Sequence, residues 1–455
     1  MARVRTLRRV ARADAYRELG EAAWAWVRAN VLGDDGPWLP STVDGTPRLP
    51  TATPDRSTIY LGTGGLALVL AEVQLQRRLT DEEVALGGAI RASIVATPAT
   101  CRFASLYFGL GGDATALTVL GDRAAAAHVL RALRDEATGA VPLHGERVAD
   151  VPPYDVIAGL AGVAMTGVWC GGADGLGLAR LAADGLVAAA EDVATGLDWP
   201  LFPEDPVRLP NFSHGTAGIA AALAVTGLAL GDDALVGAAR RGAAHLVAIG
   251  DLAGGGLTVP HYVPQDGHDD EEPVTWSWCH GATGTSLLFA ALGAAGVAEV
   301  DGIPARELRA RCLRSVLGSG VPARLRPGFW DNDGQCCGTA GVGDVLLSAA
   351  AHAADGEEAA HAAAYLDAAT RMGDALVERA VVDTAGARWQ FVEHRAAESR
   401  LAPGTGWSQG AAGIAAFLLR LARVLDVGLA TPVVDRPDGW WAVPASVRTY
   451  HRAAT

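Results

Sequence analysis

The sequence predicts an all-α protein: an α/α toroid of seven helical hairpins, about fourteen helices in all. Two observations lead there. A Gly-x-x-Gly turn followed by an apolar stretch, in most copies a run of Ala, Leu, Val and Ile, occurs seven times in 455 residues. Hydrophobic residues make up 50% of the chain but aromatics only 6%, a composition that favours closely packed helices over sheets built from β-branched and aromatic side chains. Repetition at a period of this size is the signature of an architecture assembled from one supersecondary unit.

The turns begin at Gly62, Gly109, Gly159, Gly215, Gly281, Gly338 and Gly410, at intervals of 47 to 72 residues. Each interval holds two helices and two loops. The segment after a turn, such as Ile219 to Leu230 or Ile414 to Val424, is apolar nearly all round and reads as a helix buried on every side. The later part of each unit is more polar. Thr80-Asp81-Glu82-Glu83 is a capping box that opens such a helix, and Pro304 to Leu317 and Glu357 to Ala380 are further amphipathic examples. Each unit is therefore an inner buried helix followed by an outer one, with glycines that let the backbone enter the inner helix tightly. On this reading the turns share one face, together with the irregular segments Gly254 to Trp278, Arg324 to Gln335 and Ala385 to Gln409. Those segments carry Trp276, Trp278, Trp330, Trp389 and Trp407, on loops of the kind where function concentrates. The acidic run Asp269-Asp270-Glu271-Glu272 reads as a solvated loop. The expectation is a single domain over 1–455, with a repeat core at about 58–425, an N-terminal helical extension at 1–50 and a C-terminal tail at 432–455.

Composition excludes several function classes. All 37 basic residues are Arg, so chemistry that needs a Lys, such as a Schiff base, a pyridoxal-phosphate site or a P-loop, is absent. A net charge of -14 argues against nucleic acid as a partner. No apolar run reaches the roughly 18 residues of a spanning helix, and Met1 to Arg17 is Arg-rich without the apolar stretch of a secretory signal. A cytoplasmic location is expected. Six Cys are too sparse for a disulfide scaffold.

Three of those Cys sit at turns. Cys279 and Cys336 each lie two residues ahead of a turn glycine, and Cys337 follows Cys336 directly. Zinc takes Cys and His ligands in tetrahedral geometry, and a catalytic zinc keeps one position open. Spacing of this kind suits a site assembled from two neighbouring repeats, in which Cys279, Cys336 and Cys337 hold one Zn2+ and leave a fourth position for a substrate thiol. A vicinal disulfide or unrelated buried thiols are the alternatives. Cys101, Cys170 and Cys312 occupy no equivalent position and read as small core residues. His214 directly precedes the fourth turn, and Asp155 lies four residues before the third. A His there can move protons near neutral pH and an Asp can orient it; equally, Asp155 can cap a helix and His214 can bond a backbone carbonyl. His280, beside Cys279, reads as a fourth ligand, a supporting residue or an acid.

These motifs in this order, Tyr154-Asp155-Val156, Ser213-His214-Gly215, Trp278-Cys279-His280-Gly281 and Cys336-Cys337-Gly338 on a seven-turn background, resemble the lanthionine synthetase C-like cyclases over roughly Thr58 to Leu425. The resemblance implies a double α-barrel with zinc at its mouth. It implies a reaction in which a peptide Cys thiol adds to dehydroalanine or dehydrobutyrine to close a thioether ring. Carried over, Cys279, Cys336 and Cys337 would be the ligands and His214 and Asp155 the acid/base pair. Partners would be a dehydrated precursor peptide and a separate dehydratase or kinase/lyase. Many stand-alone members have Cys-His-Gly where this chain has Cys336-Cys337-Gly338, and some carry an Arg just upstream of the first zinc Cys, whereas no Lys or Arg occurs here from Gly242 to Ala305. Addition of a small thiol such as glutathione to dehydrated residues, and a non-catalytic zinc-stabilised peptide-binding scaffold, are the competing functions.

Overall fold

The structure is a computed structural model that describes residues 2–33, 35–43, 56–97, 104–137, 153–202, 206–265, 272–323, 332–354, 359–392 and 400–449. Cys101, Trp330 and the Asp269, Asp270 and Glu271 of the acidic run lie outside the described residues. The chain forms two compact units. The first comprises Met1–Ala96, Val321–Asp435 and Val443–His451; the second comprises Thr97–Gly320, Arg436–Ala442 and Arg452–Thr455.

The first unit holds α1 (Ala2–Ala29), α2 (Gly64–Gln76) and α3 (Asp81–Ala96). The second holds α4 (Leu110–Val119), α5 (Arg123–Ala137), α6 (Leu160–Cys170), α7 (Gly172–Ala188), α8 (Thr216–Leu230), α9 (Asp233–Ile249), α10 (Ala282–Ala294) and α11 (Ala305–Gly318). The first unit resumes with α12 (Thr339–Ala354), α13 (Ala359–Arg379) and α14 (Ala411–Val427). Every Gly-x-x-Gly turn opens an even-numbered helix, as the repeat predicts.

In the second unit α4, α6, α8 and α10 pack side by side, and each is backed by the odd-numbered helix that follows it. α8 is buried from Thr216 through Gly227, whereas α9 buries a stripe that includes Leu235, Ala239, Ala243 and Leu246. That contrast is the inner and outer character read from the sequence. In the first unit α14 packs between α12 and α2. Two buried cations on α14 tie this row together: Arg420 pairs with Asp344 of α12 at 2.6 Å, and Arg423 pairs with Glu72 of α2. Both partners of each pair are buried, so loss of one would strand a charge in the core.

Among the described residues no α-helix follows α14. Its outer partner is α1, which lies along it and is held by Arg9 donating to the Val424 carbonyl at 3.1 Å and by an Arg17–Asp426 ion pair. Residues expected to extend beyond the repeat thus complete the seventh hairpin. The capping box forms as read: Thr80 N–H donates to the Glu83 carboxylate at 2.8 Å, and Glu83 N–H donates to Thr80 Oγ1 at 3.3 Å. Glu83 also accepts from Arg77 and from Trp24 Nε1. Burial pushes its pKa up, but these donors outweigh burial and hold the carboxyl at about 2.

Among the described residues strand is confined to short pairs. One joins Glu191–Val193 to Gly196–Asp198 after α7, and another joins Val381–Asp383 to Gly386–Arg388 after α13. Each hairpin is followed by a Trp that reaches back to its helix, Trp199 to the Leu186 carbonyl at 2.7 Å and Trp389 to the Leu376 carbonyl at 2.9 Å. Trp389, expected on a functional loop, is therefore a packing residue. Residues of the tail also pack, with Val433, Val443 and Val447 closing a small apolar cluster on Ala351 in the first unit. Among the described residues no helix is long and apolar enough to cross a membrane.

Candidate metal centre and acid–base pair

The turn itself explains where the chemistry sits. A Cβ on Gly215 would lie 1.6 Å from the carbonyl oxygen of Leu209, and one on Gly218 would lie 1.9 Å from that of Phe212. Both glycines are needed because the preceding loop folds back over the helix start at backbone contact distance. The residues just ahead of the first turn glycine are thereby pinned, with their backbones bonded sideways to the next turn. In the second unit Tyr107 N–H donates to the Ile157 carbonyl (3.2 Å), Val156 N–H to that of Ser213 (3.1 Å), and Ser213 N–H to that of Cys279 (2.9 Å). In the first unit Cys336 N–H donates to the Ser408 carbonyl (2.9 Å) and Ser408 N–H to that of Tyr60 (3.1 Å). Tyr107, Ile157, Ser213, Cys279, Cys336, Ser408 and Tyr60 all stand two residues ahead of their glycine. The next position holds His214, His280, Cys337 and Gln409.

In the second unit Cys279 is buried, and its Sγ lies 3.1 Å from Ser277 Oγ. His214 is partly exposed, and its Nδ1 lies 2.5 Å from Oδ2 of the buried Asp155. The other oxygen of Asp155 accepts from Ala158 N–H at 2.8 Å, so Asp155 both caps its turn and orients the imidazole. A carboxylate only accepts, so Nδ1 carries the proton and Nε2 faces away from Asp155 as the acceptor. The His280 ring stacks on that of His214 with centroids 5.4 Å apart, and the ring of buried His261 lies 4.6 Å from His280. The Trp278 ring packs against Phe212 and Tyr107 beneath these residues.

In the first unit Cys336 is buried, Cys337 is half-buried, and both are free thiols with sulfurs 3.5 Å apart. The vicinal-disulfide alternative is thus not realised. Gln409 Nε2 donates to Tyr60 Oη at 2.9 Å and to Cys337 Sγ at 3.5 Å. Burial, and then the adjacent Cys336 and Cys337, hold the Tyr60 phenol well above its ordinary pKa. Close by, Asp333 accepts from Thr339 Oγ1 (3.1 Å) and from Arg379 (2.8 Å), which ties the start of α12 to the end of α13. A cavity of about 540 Å³ opens beside Asp333 and Arg379.

The structure thus pairs His214 with Asp155 and Cys336 with Cys337. It adds Tyr60, Gln409, Ser277 and His261, which carry no motif of their own. Their signal was positional for two of them: Tyr60 and Gln409 stand at the turn positions that Cys336 and Cys337 occupy in another repeat. Cys312 is fully buried, and burial pushes its thiol well above the ordinary range. Cys170 touches Thr118 Oγ1 at 3.7 Å. Cys312 is a core residue, as expected, whereas Cys170 is only partly buried.

Inner helices entered through glycine turns, with thiols and imidazoles on the residues just ahead of those turns, define a helical-hairpin protein. The chain belongs to the lanthionine synthetase C-like protein family, whose model matches residues 53–368. Among solved structures it is similar to a nisin cyclase, at 18% sequence identity and a TM-score of 0.54, with 82% of this chain and 92% of that chain covered. That likeness concerns the fold: all-α, the α/α toroid that the seven turns predict. No curated protein matches the chain.

Proposed function

We propose that the protein is a zinc-dependent cyclase that adds a peptide Cys thiol to dehydroalanine or dehydrobutyrine and so forms (methyl)lanthionine rings. Family membership supports a cyclase. The observation that carries the zinc reading is that Cys279, Cys336 and Cys337 form a group of candidate ligands able to hold a metal ion. The donor set fits zinc: three thiols and no carboxylate match its preference, whereas Mg2+ and Ca2+ demand oxygen ligands. Three protein ligands leave one of four tetrahedral positions for the substrate.

Bound zinc would supply Lewis acidity that makes the peptide thiol a thiolate at neutral pH. The chain's own residues would do the rest. The thiolate sulfur bonds to the β-carbon of the dehydro residue, the double-bond pair moves onto the α-carbon and its carbonyl, and a proton then adds at the α-carbon. The thiol loses one proton and the α-carbon gains one, so the reaction is a net addition with no change in mass. His214 would exchange that proton through Nε2, while Asp155 holds Nδ1 and stabilises the imidazolium. The stacked ring of His280 limits the directions that His214 can face. The substrate on this reading is a dehydrated precursor peptide made by a separate dehydratase or kinase/lyase.

The test is elemental analysis of the purified protein beside Cys337→Ala, with an assay on a dehydrated Cys-containing peptide. About one zinc per chain, lost in the variant, and loss of alkylatable substrate thiol without a mass change are expected. Wild-type protein without zinc, or zinc retained in full by Cys337→Ala, would remove the reading.

A further inference from the structure

Two of the candidate ligand sulfurs, those of Cys279 and Cys337, have a polar side chain beside them that is not itself a ligand. Ser277 Oγ lies 3.1 Å from Cys279 Sγ in the second unit. In the first unit the Gln409 amide spans two groups, donating to Cys337 Sγ at 3.5 Å and to Tyr60 Oη at 2.9 Å. Tyr60 Oη, by accepting one amide proton, fixes the direction of the other, which meets Cys337 Sγ. The backbones of Tyr60, Ser408 and Cys336 are joined by the two ladder bonds at 3.1 and 2.9 Å, so this arrangement is set by the turns and not by flexible side chains.

We propose that Gln409, oriented by its bond to Tyr60, is a positioning residue that places a hydrogen bond on the sulfur of Cys337 and thereby withdraws electron density from it. The proposal rests on the zinc reading above. A site with three thiolates is electron-rich, and its protein sulfurs compete with the substrate sulfur as nucleophiles toward a dehydro residue. A hydrogen bond to a thiolate stabilises its lone pairs and makes it a weaker nucleophile. A donor on a protein ligand lowers that sulfur's nucleophilicity relative to the incoming thiol. Gln409 thus protects the enzyme from alkylation by its own substrate, a role distinct from holding the metal.

The test uses cobalt(II) in place of zinc and compares wild type with Tyr60→Phe and Gln409→Met. Tyr60→Phe removes one hydroxyl, and Gln409→Met removes the amide at similar volume, so a folding failure in one leaves the other. The sulfur-to-cobalt charge-transfer band is expected to move to longer wavelength in each variant, because an unbonded thiolate gives up its electrons more readily. The metal-bound cysteines are expected to react on the order of tenfold faster with iodoacetamide, the scale of one hydrogen bond to a charged group. A purely structural role would leave the band where it is. Cobalt uptake with unchanged band position and unchanged alkylation in both variants would overturn this proposal alone. Failure of the wild type to take up cobalt or zinc would overturn the zinc reading, and this proposal with it.

Discussion

The backbone N–H of Ser213 donates to the carbonyl oxygen of Cys279 at 2.9 Å. This one bond sets the register between the turn that carries His214 and the turn that carries Cys279 and His280. The imidazole rings at the next positions stack as a result, 5.4 Å apart. The imidazole proposed to move the proton is thereby held at fixed offset from a candidate ligand by main chain and not by side-chain packing.

Asp155 makes two separable contributions, and substitutions can divide them. Asp155→Asn keeps an oxygen to accept from Ala158 N–H but loses the carboxylate that holds His214 Nδ1. Its expected phenotype is near-normal thermal stability with cyclisation slowed by about 10²-fold or more. Asp155→Ala should lose activity and about 1 kcal/mol of stability together. Thermal melts beside cyclisation rates check both.

His214→Ala should keep its full metal content and still slow ring closure by about 10²-fold or scramble the configuration at the α-carbon. Metal analysis, rates and chiral analysis of the hydrolysed product provide the check. An unchanged rate and stereochemistry would take His214 out of the mechanism.

Gly218→Ala should destabilise the protein by roughly 3 kcal/mol, the upper range for forcing volume into a packed interior. The added methyl would meet the Phe212 carbonyl at 1.9 Å and Val156 Cγ2 at 2.5 Å, and neither can retreat without opening a ladder bond. Gly237→Ala, where a Cβ meets nothing within 4 Å, is the matched control and should be neutral or stabilising. Denaturant unfolding of the two variants measures the difference.

Glu83 gives the acid limb of the stability curve a definite sign. Its carboxyl is held at about 2 against an ordinary 4.5. A depressed carboxyl adds stability that is complete above the unfolded value and drains away as pH falls through the folded one. Glu83→Gln should therefore cost about 3 kcal/mol at neutral pH, the scale for breaking a buried pair. The gap from wild type should narrow between pH 4.5 and 2. Unfolding free energies across that interval are the measurement.

Much of this was legible in the chain because it recorded a local necessity. A glycine that must pass a carbonyl at contact distance cannot be anything else, so seven turns announced seven inner helices. Thr80 and Glu83 announced their capping box for the same reason. Tyr60 and Gln409 were less visible. Tyrosine and glutamine carry no distinctive chemistry alone, and they matter only because Ser408 links the first turn to the one that carries Cys336. The role of α1 was equally hidden, since nothing local in Ala2–Ala29 shows that α14 lacks an outer neighbour. The hairpins after α7 and α13 went unread because strands of three residues leave no period.

The pairing of α1 with α14 has a consequence for how the protein is made. Arg9 and Val424, joined in the folded chain, are 415 residues apart. At about 5–20 residues per second, α1 emerges from the ribosome roughly 20–80 s before the helix it is to cover. Throughout that interval the face of α1 at Gly20, which meets Leu419 of α14 in the folded chain, has no partner from α14 to shield it. The nascent chain therefore carries an exposed amphipathic segment for most of its synthesis, a natural client for a ribosome-bound chaperone.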